Sequence, residues 1–331
     1  MTRISVIIPT NRSPETVAPC LRHIAGADLA HEVEVLLAVN GDAMDMDWGQ
    51  VAAGLNLCLI RQPHAHIGAA KNRALDVATG EWVFLLNDDV FVRPDFFDKH
   101  LAAHDRLERP AMVLGASLWP DWPDATVFDE LIAQTPMVFF YGHMRSGKHY
   151  DFRHAWNLNL SLQRRFLRED RFEERIGPFS YEDLELAYRL DQRYGLKVYY
   201  EAQAVAVHRH RYTWRQYIDR ETRMGAAAWR LGAASPACFA ALYGTSREDL
   251  LAYARAYVGI DGRFEGERSD RFEVIVRQAA GVIHDYPPEW LRLLYDAHIP
   301  LKRLAFRRGY CAAAGAEVTG AGSAVVTSLG R

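Results

Sequence analysis

The sequence has no excess of charge of either sign, no long apolar run and only four cysteines. Each shortage excludes something. With 39 basic against 42 acidic residues the net charge is -3, which offers no electrostatic footprint for nucleic acid. Cys20, Cys58, Cys238 and Cys311 are scattered, without a CxxC or other metal spacing, so they read as reduced thiols rather than a disulfide framework. No uninterrupted apolar stretch approaches the ~18 residues that span a bilayer. The start "MTRISVIIPTNRS" is broken too early for a signal peptide, so the expected location is the cytoplasm. The basic stretch "LKRLAFRRG" leaves peripheral contact with the inner face of a membrane open, although a solvated helix face explains it as well. No GxGxxG follows the first apolar run, which counts against a dinucleotide-dependent oxidoreductase.

What is present is an ordinary globular composition, 49% hydrophobic and 24% charged over 331 residues, enough for one large domain or two moderate ones. The first 120 residues alternate β-rich runs with helical patterns, the mark of βαβ units on a mostly parallel sheet flanked by helices. Strands are expected at 4–10, 32–41 and 55–63, with a weakly signalled helix between the last two. Ser13 and Pro14 open a first helix, and "GAAKNRALDVATG" forms another, with Gly80 as its left-handed cap. Further strands fall within "EWVFLLNDDVFVRPDFF" and "PAMVLGASLWP". The aromatic and basic segment "TPMVFFYGHMRSGKHYDF" fits a substrate-covering loop or a long connection. A helix over 180–195 and a strand "KVYYEAQAVAVHRHR" complete a first domain over 1–212. Thr213 and Gln216 have capping-box spacing and open a helical C-terminal extension over 213–310, and the Gly- and Ala-rich residues 311–331 form a mobile tail.

Three polar features stand at strand ends or a helix start: Asn87-Asp88-Asp89, Glu182-Asp183, and His208 with His210. Taken singly, each has a bland explanation. The triplet suits a turn, Asp183 three residues after Ser180 suits a helix cap, and a lone histidine is usually structural. Taken in order, carboxylates, a second carboxylate pair and an imidazole make a metal and acid-base constellation at the edge where open α/β sheets bind ligands.

The blocks "SVIIPTNRSPETVAPCLRHI", "GAAKNRALDVATGEWVFLLNDDV", "NLSLQRRFL" and "YEDLELAYRLDQRYGLKVYYEAQAVAVH" occur in this order, and the chain over roughly residues 3–225 resembles the family 2 glycosyltransferases of GT-A fold. The resemblance implies transfer of one sugar at a time, with inversion, from a nucleotide-diphospho-sugar. UDP-sugar is the favoured donor, and the acceptor is a hydroxyl of a glycan, a lipid-linked glycan or a small natural product. It implies a divalent cofactor, Mn²⁺ or Mg²⁺, on Asp89 and His208, with His210 as the fallback. Asp183 is implied as the catalytic base and Glu182 as an acceptor-binding or helix-orienting residue. The nucleotide falls to Pro9, Thr10, Arg12, Asn40, Asp42, Lys71, Arg73, Asn87 and Asp88, and the sugar to Asn159 and Trp156, the latter equally suited to a core. Asn87 replaces the first Asp of the family's DxD triplet, the aromatic that commonly follows "PT" is missing, and "VNGD" replaces an acidic pair. No QxxRW follows Asp183, unlike the processive synthases. The rival reading is a non-catalytic nucleotide-sugar-binding or scaffold protein of the same fold, which would have no use for the base.

Overall fold

Residues 4 to 8, apolar almost without interruption, suit a strand covered on both faces. In the computed structural model Ile4, Val6, Ile7 and Ile8 are all buried on such a strand. The structure describes residues 2–27, 30–49, 51, 54–139, 141–261, 265–281 and 289–318. In chain order, β1 (Arg3–Thr10), α1 (Pro14–Ala25), β2 (Glu32–Asn40) and β3 (Asn56–Gln62) are followed by α2 (Ile67–Val77), β4 (Trp82–Leu86), β5 (Val90–Val92), α3 (Phe96–Asp105) and β6 (Met112–Leu118). Next come α4 (Val127–Gln134), β7 (Lys148–Tyr150), β8 (Asn159–Gln163), α5 (Glu182–Tyr194) and β9 (Val198–His208). The C-terminal helices are α6 (Trp214–Ala234), α7 (Pro236–Tyr243), α8 (Arg247–Asp261), α9 (Glu265–Val276) and α10 (Trp290–Val318).

One sheet carries the strands in the order β3-β2-β1-β4-β8-β6-β9-β5, with β7 beside β9. β1, β2, β3 and β4 run parallel, β8 runs against both β4 and β6, and β9 lies parallel to β6. It follows that β1, β2, β4, β6 and β9 all end at the same edge. Among the described residues the fold is thus the expected α/β arrangement, a largely parallel central sheet flanked by helices, with a helical C-terminal part.

Contacts divide the chain into two units, the first up to Pro120 with Tyr141 to His210, the second from Asp121 to 140 with Arg211 onward. The expected border at 212 therefore shifts by two residues, and α4 leaves the first unit. Its Phe128 ring packs edge-on against Trp214 and Tyr217 of α6, and Val127 N–H donates to the Gln278 carbonyl. Within this second unit Gly225 and Gly309 face each other's helices. A Cβ at Gly225 would lie 1.8 Å from the Phe306 carbonyl oxygen, and one at Gly309 1.8 Å from that of Thr222, so only glycines permit α6 and α10 to approach this closely.

Three expectations are corrected. Between β2 and β3 the described residues hold a single 3-10 turn, Gly41–Asp45, in place of a helix. Helix α2 ends at Val77, before Gly80. Gly80 instead lies against β1, where its N–H donates to Ser5 Oγ and a Cβ would come within 2.4 Å of Ser5 N. The tail expected from 311 is helical to Val318, as its alanines favour, with Ala314 buried; residues 319–331 lie outside the described residues.

Candidate active site

The polar residues at the common strand edge converge. Beyond β4 the chain turns through Asn87-Asp88-Asp89 and returns as β5, whose Val90 pairs with His208 of β9. The Asp89 carbonyl accepts from Arg209 N–H at 2.8 Å, so backbone register sets Asp89 beside the end of β9. His208 and His210, two apart on an extended segment, point to one side, with rings stacked at 5.6 Å. His208 Nε2 stands 3.3 Å from Asp89 Oδ1 and His210 Nδ1 stands 3.0 Å from Asp89 Oδ2. Trp119, at the end of β6, lies over the His208 ring at 4.9 Å.

From β1, Thr10 Oγ1 donates to Asp88 Oδ2 at 2.6 Å. Arg12 Nη2 donates to Asp89 Oδ2 at 2.9 Å, while its Nη1 lies 3.6 Å from Asp88 Oδ1. Asn40, at the end of β2, donates to the Thr10 carbonyl and so braces the β1 terminus. Both aspartates are buried. Burial works to raise the Asp89 carboxyl, but His208, His210 and Arg12 outweigh it and hold it well below the usual carboxylate range. Asp88 goes the other way, raised by burial and by Asp89 against the pull of Arg12 and Thr10. One side thus stays ionised while the other is easier to protonate.

Asp89, His208 and His210 each offer a ligand atom, and these atoms lie within 4.8 Å of one another. Asp89 Oδ1 is buried and faces His208 Nε2 at 3.3 Å, without a hydrogen bond of good geometry. The donor set, one carboxylate and two imidazoles, fits a divalent ion of the first transition row.

A second group forms at the start of α5. Ser180 and Tyr181 take left-handed φ values of 64° and 68°, uncommon for side-chain-bearing residues and characteristic of strained functional turns. This turn replaces the expected Ser180 cap and directs Glu182 inward, where its Oε1 accepts from Lys71 Nζ of α2 at 2.8 Å. Both partners are buried, and Lys71 also lies over the Phe172 ring. Asp183 follows, accepting from Leu184 N–H at 2.8 Å. Burial and the adjacent Glu182 push its carboxyl up to about 7, against the opposing charge of Lys71.

The remaining expected site residues fare differently. Pro9 is buried at the end of β1 and Asn87 half-buried in the triplet. Asp42 and Arg73 are exposed, and Arg73 Nη1 donates to the Arg61 carbonyl. Lys71, expected to face the nucleotide, is instead committed to Glu182. Asn159 is fully buried; its Oδ1 meets His100 Nε2 and its Nδ2 donates to the carbonyls of Ala116 and Ala204. Its amide therefore joins strands rather than facing a sugar. Trp156 is 8% exposed and packs edge-on against Tyr141, as a core aromatic does. Sequence reasoning undervalued His210 and missed Trp119; the HxH alternation at the end of β9 was the available signal for the former.

Strand ends that gather acidic and imidazole groups, with a separate carboxylate of raised proton affinity, suit a nucleotide-sugar transferase of GT-A fold. Residues 5–156 match the family model described as glycosyl transferase family 2. The match takes in a little under half of the chain, which over these residues carries a family 2 glycosyltransferase domain. Comparison with curated proteins gave no match. Among solved structures, S. aureus TarS 1-349 in complex with UDP-GlcNAc has the same fold, with 14% identity over 96% of this chain and 92% of that one, TM-score 0.50. A longer S. aureus TarS structure matches with 12% identity over 92% of this chain, TM-score 0.49, and this chain spans 55% of its length. Glucosyl-3-phosphoglycerate synthase from Mycobacterium tuberculosis, in complex with Mn²⁺, UDP and glucosyl-3-phosphoglycerate, matches with 16% identity over 68% of this chain and 80% of that one, TM-score 0.45.

Proposed function

We propose that this protein transfers a sugar from a nucleotide-diphospho-sugar to an acceptor hydroxyl with inversion, and that it depends on a divalent metal. The observation that carries the reading is the meeting of Asp89 with His208 and His210 at one strand edge. Asp89, His208 and His210 would hold the ion, and the mixture of oxygen and nitrogen donors favours Mn²⁺ over Mg²⁺. When bound, such an ion neutralises the diphosphate leaving group as a Lewis acid. Asp88, tied to Thr10 and Arg12, is placed for the ribose or the donor sugar. UDP is the favoured nucleotide, as in the TarS complex of the same fold.

Asp183 is the base of the reaction. The acceptor oxygen forms its bond to the anomeric carbon as the bond to the β-phosphate oxygen breaks, and the hydroxyl proton passes to an Asp183 carboxylate oxygen. A carboxyl raised to about 7 is well matched to accept a proton near neutral pH. Nothing in the step needs a covalent glycosyl-enzyme. The acceptor is a glycan, a lipid-linked glycan or a small hydroxylated natural product.

Asp183→Asn tests the assignment. Sugar transfer should fall by about 10²- to 10⁴-fold while calorimetry finds donor affinity within a few-fold of the parent. Turnover close to normal would remove Asp183 from the base role, and turnover absent from the parent itself with every donor tried would favour the non-catalytic rival.

A further inference from the structure

Arg12 carries a charge that does not depend on pH, and its guanidinium contacts both carboxylates of the acidic triplet. It reaches across the end of β1 to both aspartates, 2.9 Å to Asp89 Oδ2 and 3.6 Å to Asp88 Oδ1, and its Nη2 lies 3.3 Å from His210 Nδ1. The Arg12 side chain is 33% exposed while those of Asp88 and Asp89 are 10% and 8% exposed, so Arg12 meets them from the more solvent-exposed side. It already supplies one positive charge against two negative ones. It also occupies Asp89 Oδ2 and approaches His210, two atoms of the candidate metal set.

We propose that Arg12 couples metal binding to nucleotide binding: it opposes a divalent ion that arrives alone and favours the ion together with the diphosphate. The inference rests on the metal reading of Asp89, His208 and His210. Its basis is charge counting in a buried setting, where electrostatic interactions are strong. An ion added to Asp88, Asp89 and Arg12 brings the local sum from minus one to plus one, and Arg12 repels it at short range. A nucleoside diphosphate adds two or more negative charges, which both cations attract, and Arg12 has a planar donor fork suited to phosphate oxygens. Because coupling between two ligands is reciprocal, the same residue makes the nucleotide bind tighter when the ion is present. Asp89 Oδ1, which faces His208 Nε2 rather than Arg12, is the oxygen left for the ion while Arg12 remains on Oδ2.

The test is calorimetric titration of Mn²⁺ into the full chain, alone and with saturating UDP, with GDP in parallel. The parent should bind Mn²⁺ weakly alone and more tightly with the nucleotide. Arg12→Gln should bind Mn²⁺ alone about tenfold more tightly than the parent, within the usual range of coupling between sites, and nucleotide should tighten it by a smaller factor than in the parent. Arg12→Lys, which keeps the charge, should keep the coupling. A folded Arg12→Gln that binds Mn²⁺ alone no better than the parent overturns the proposal, as does an Arg12→Lys that loses the coupling. If the parent takes no Mn²⁺ even with UDP or GDP present, the metal reading itself falls, a result distinct from either of these.

Discussion

Asp183 combines two properties that pull against each other. A carboxyl whose folded value is about 7 against an ordinary 3.8 would suit a base and is costly to ionise. The folded chain holds this proton up to about pH 7, whereas the unfolded chain releases it near 3.8, so between those values the native state binds more protons and its stability falls as pH rises. Asp183→Asn should therefore melt at the parent's temperature near pH 4 and progressively above it up to pH 7, with the gain constant beyond. Equal melting temperatures at pH 8, by circular dichroism, would mean that Asp183 is not strained in this way. Loss of activity with gain of stability is the pattern expected of a functional carboxylate. The meeting of Asp89 with His208 was legible because ordered blocks surround them. The partners of Asn159 were not legible, because an amide that binds a ligand and one that binds backbone look alike in sequence. Its carbonyl partners exist only where β6 shifts register against β9 at Gly115, a feature no local pattern announces.

At the scale of elements, the ion pair of Lys71 and Glu182 ties α2 to the strained start of α5, next to Asp183. Lys71→Met should destabilise the fold by ~3–5 kcal/mol, because a buried carboxylate is left without its partner, and Lys71→Met with Glu182→Leu should recover most of that. Chemical denaturation of the two variants checks this; a single variant as stable as the parent would show the pair to be unimportant to the fold. If the pair also positions the base, the double variant regains stability but not turnover. The strands were legible from their apolar runs and the start of α6 from Thr213 and Gln216, whose reciprocal capping is present. Gly80 was not, since a glycine needed for close approach to Ser5 and one needed as a helix cap carry the same letter. The αL turn at Ser180 and Tyr181 was equally hidden, because neither residue type favours that conformation.

At the scale of the molecule, the parallel ladders bring the ends of β1, β2, β4 and β9 to one edge, and that geometry turns residues up to 198 positions apart, Arg12 and His210, into neighbours. The α/β class was legible because βαβ alternation has few solutions. The division into units was not, since α4 joins the helices that follow His210 through aromatic packing rather than chain order. No described helix is long and apolar enough to cross a membrane. The central claim, that this edge holds a nucleotide-diphospho-sugar through a divalent ion, is tested most directly by calorimetric titration of a panel of UDP-sugars with Mn²⁺ and again with EDTA. The account predicts binding of at least one donor in Mn²⁺, weakened tenfold or more on chelation and likewise in Asp89→Asn, at about 1.4 kcal/mol per factor of ten. Donor affinity unchanged by EDTA and by Asp89→Asn would contradict it.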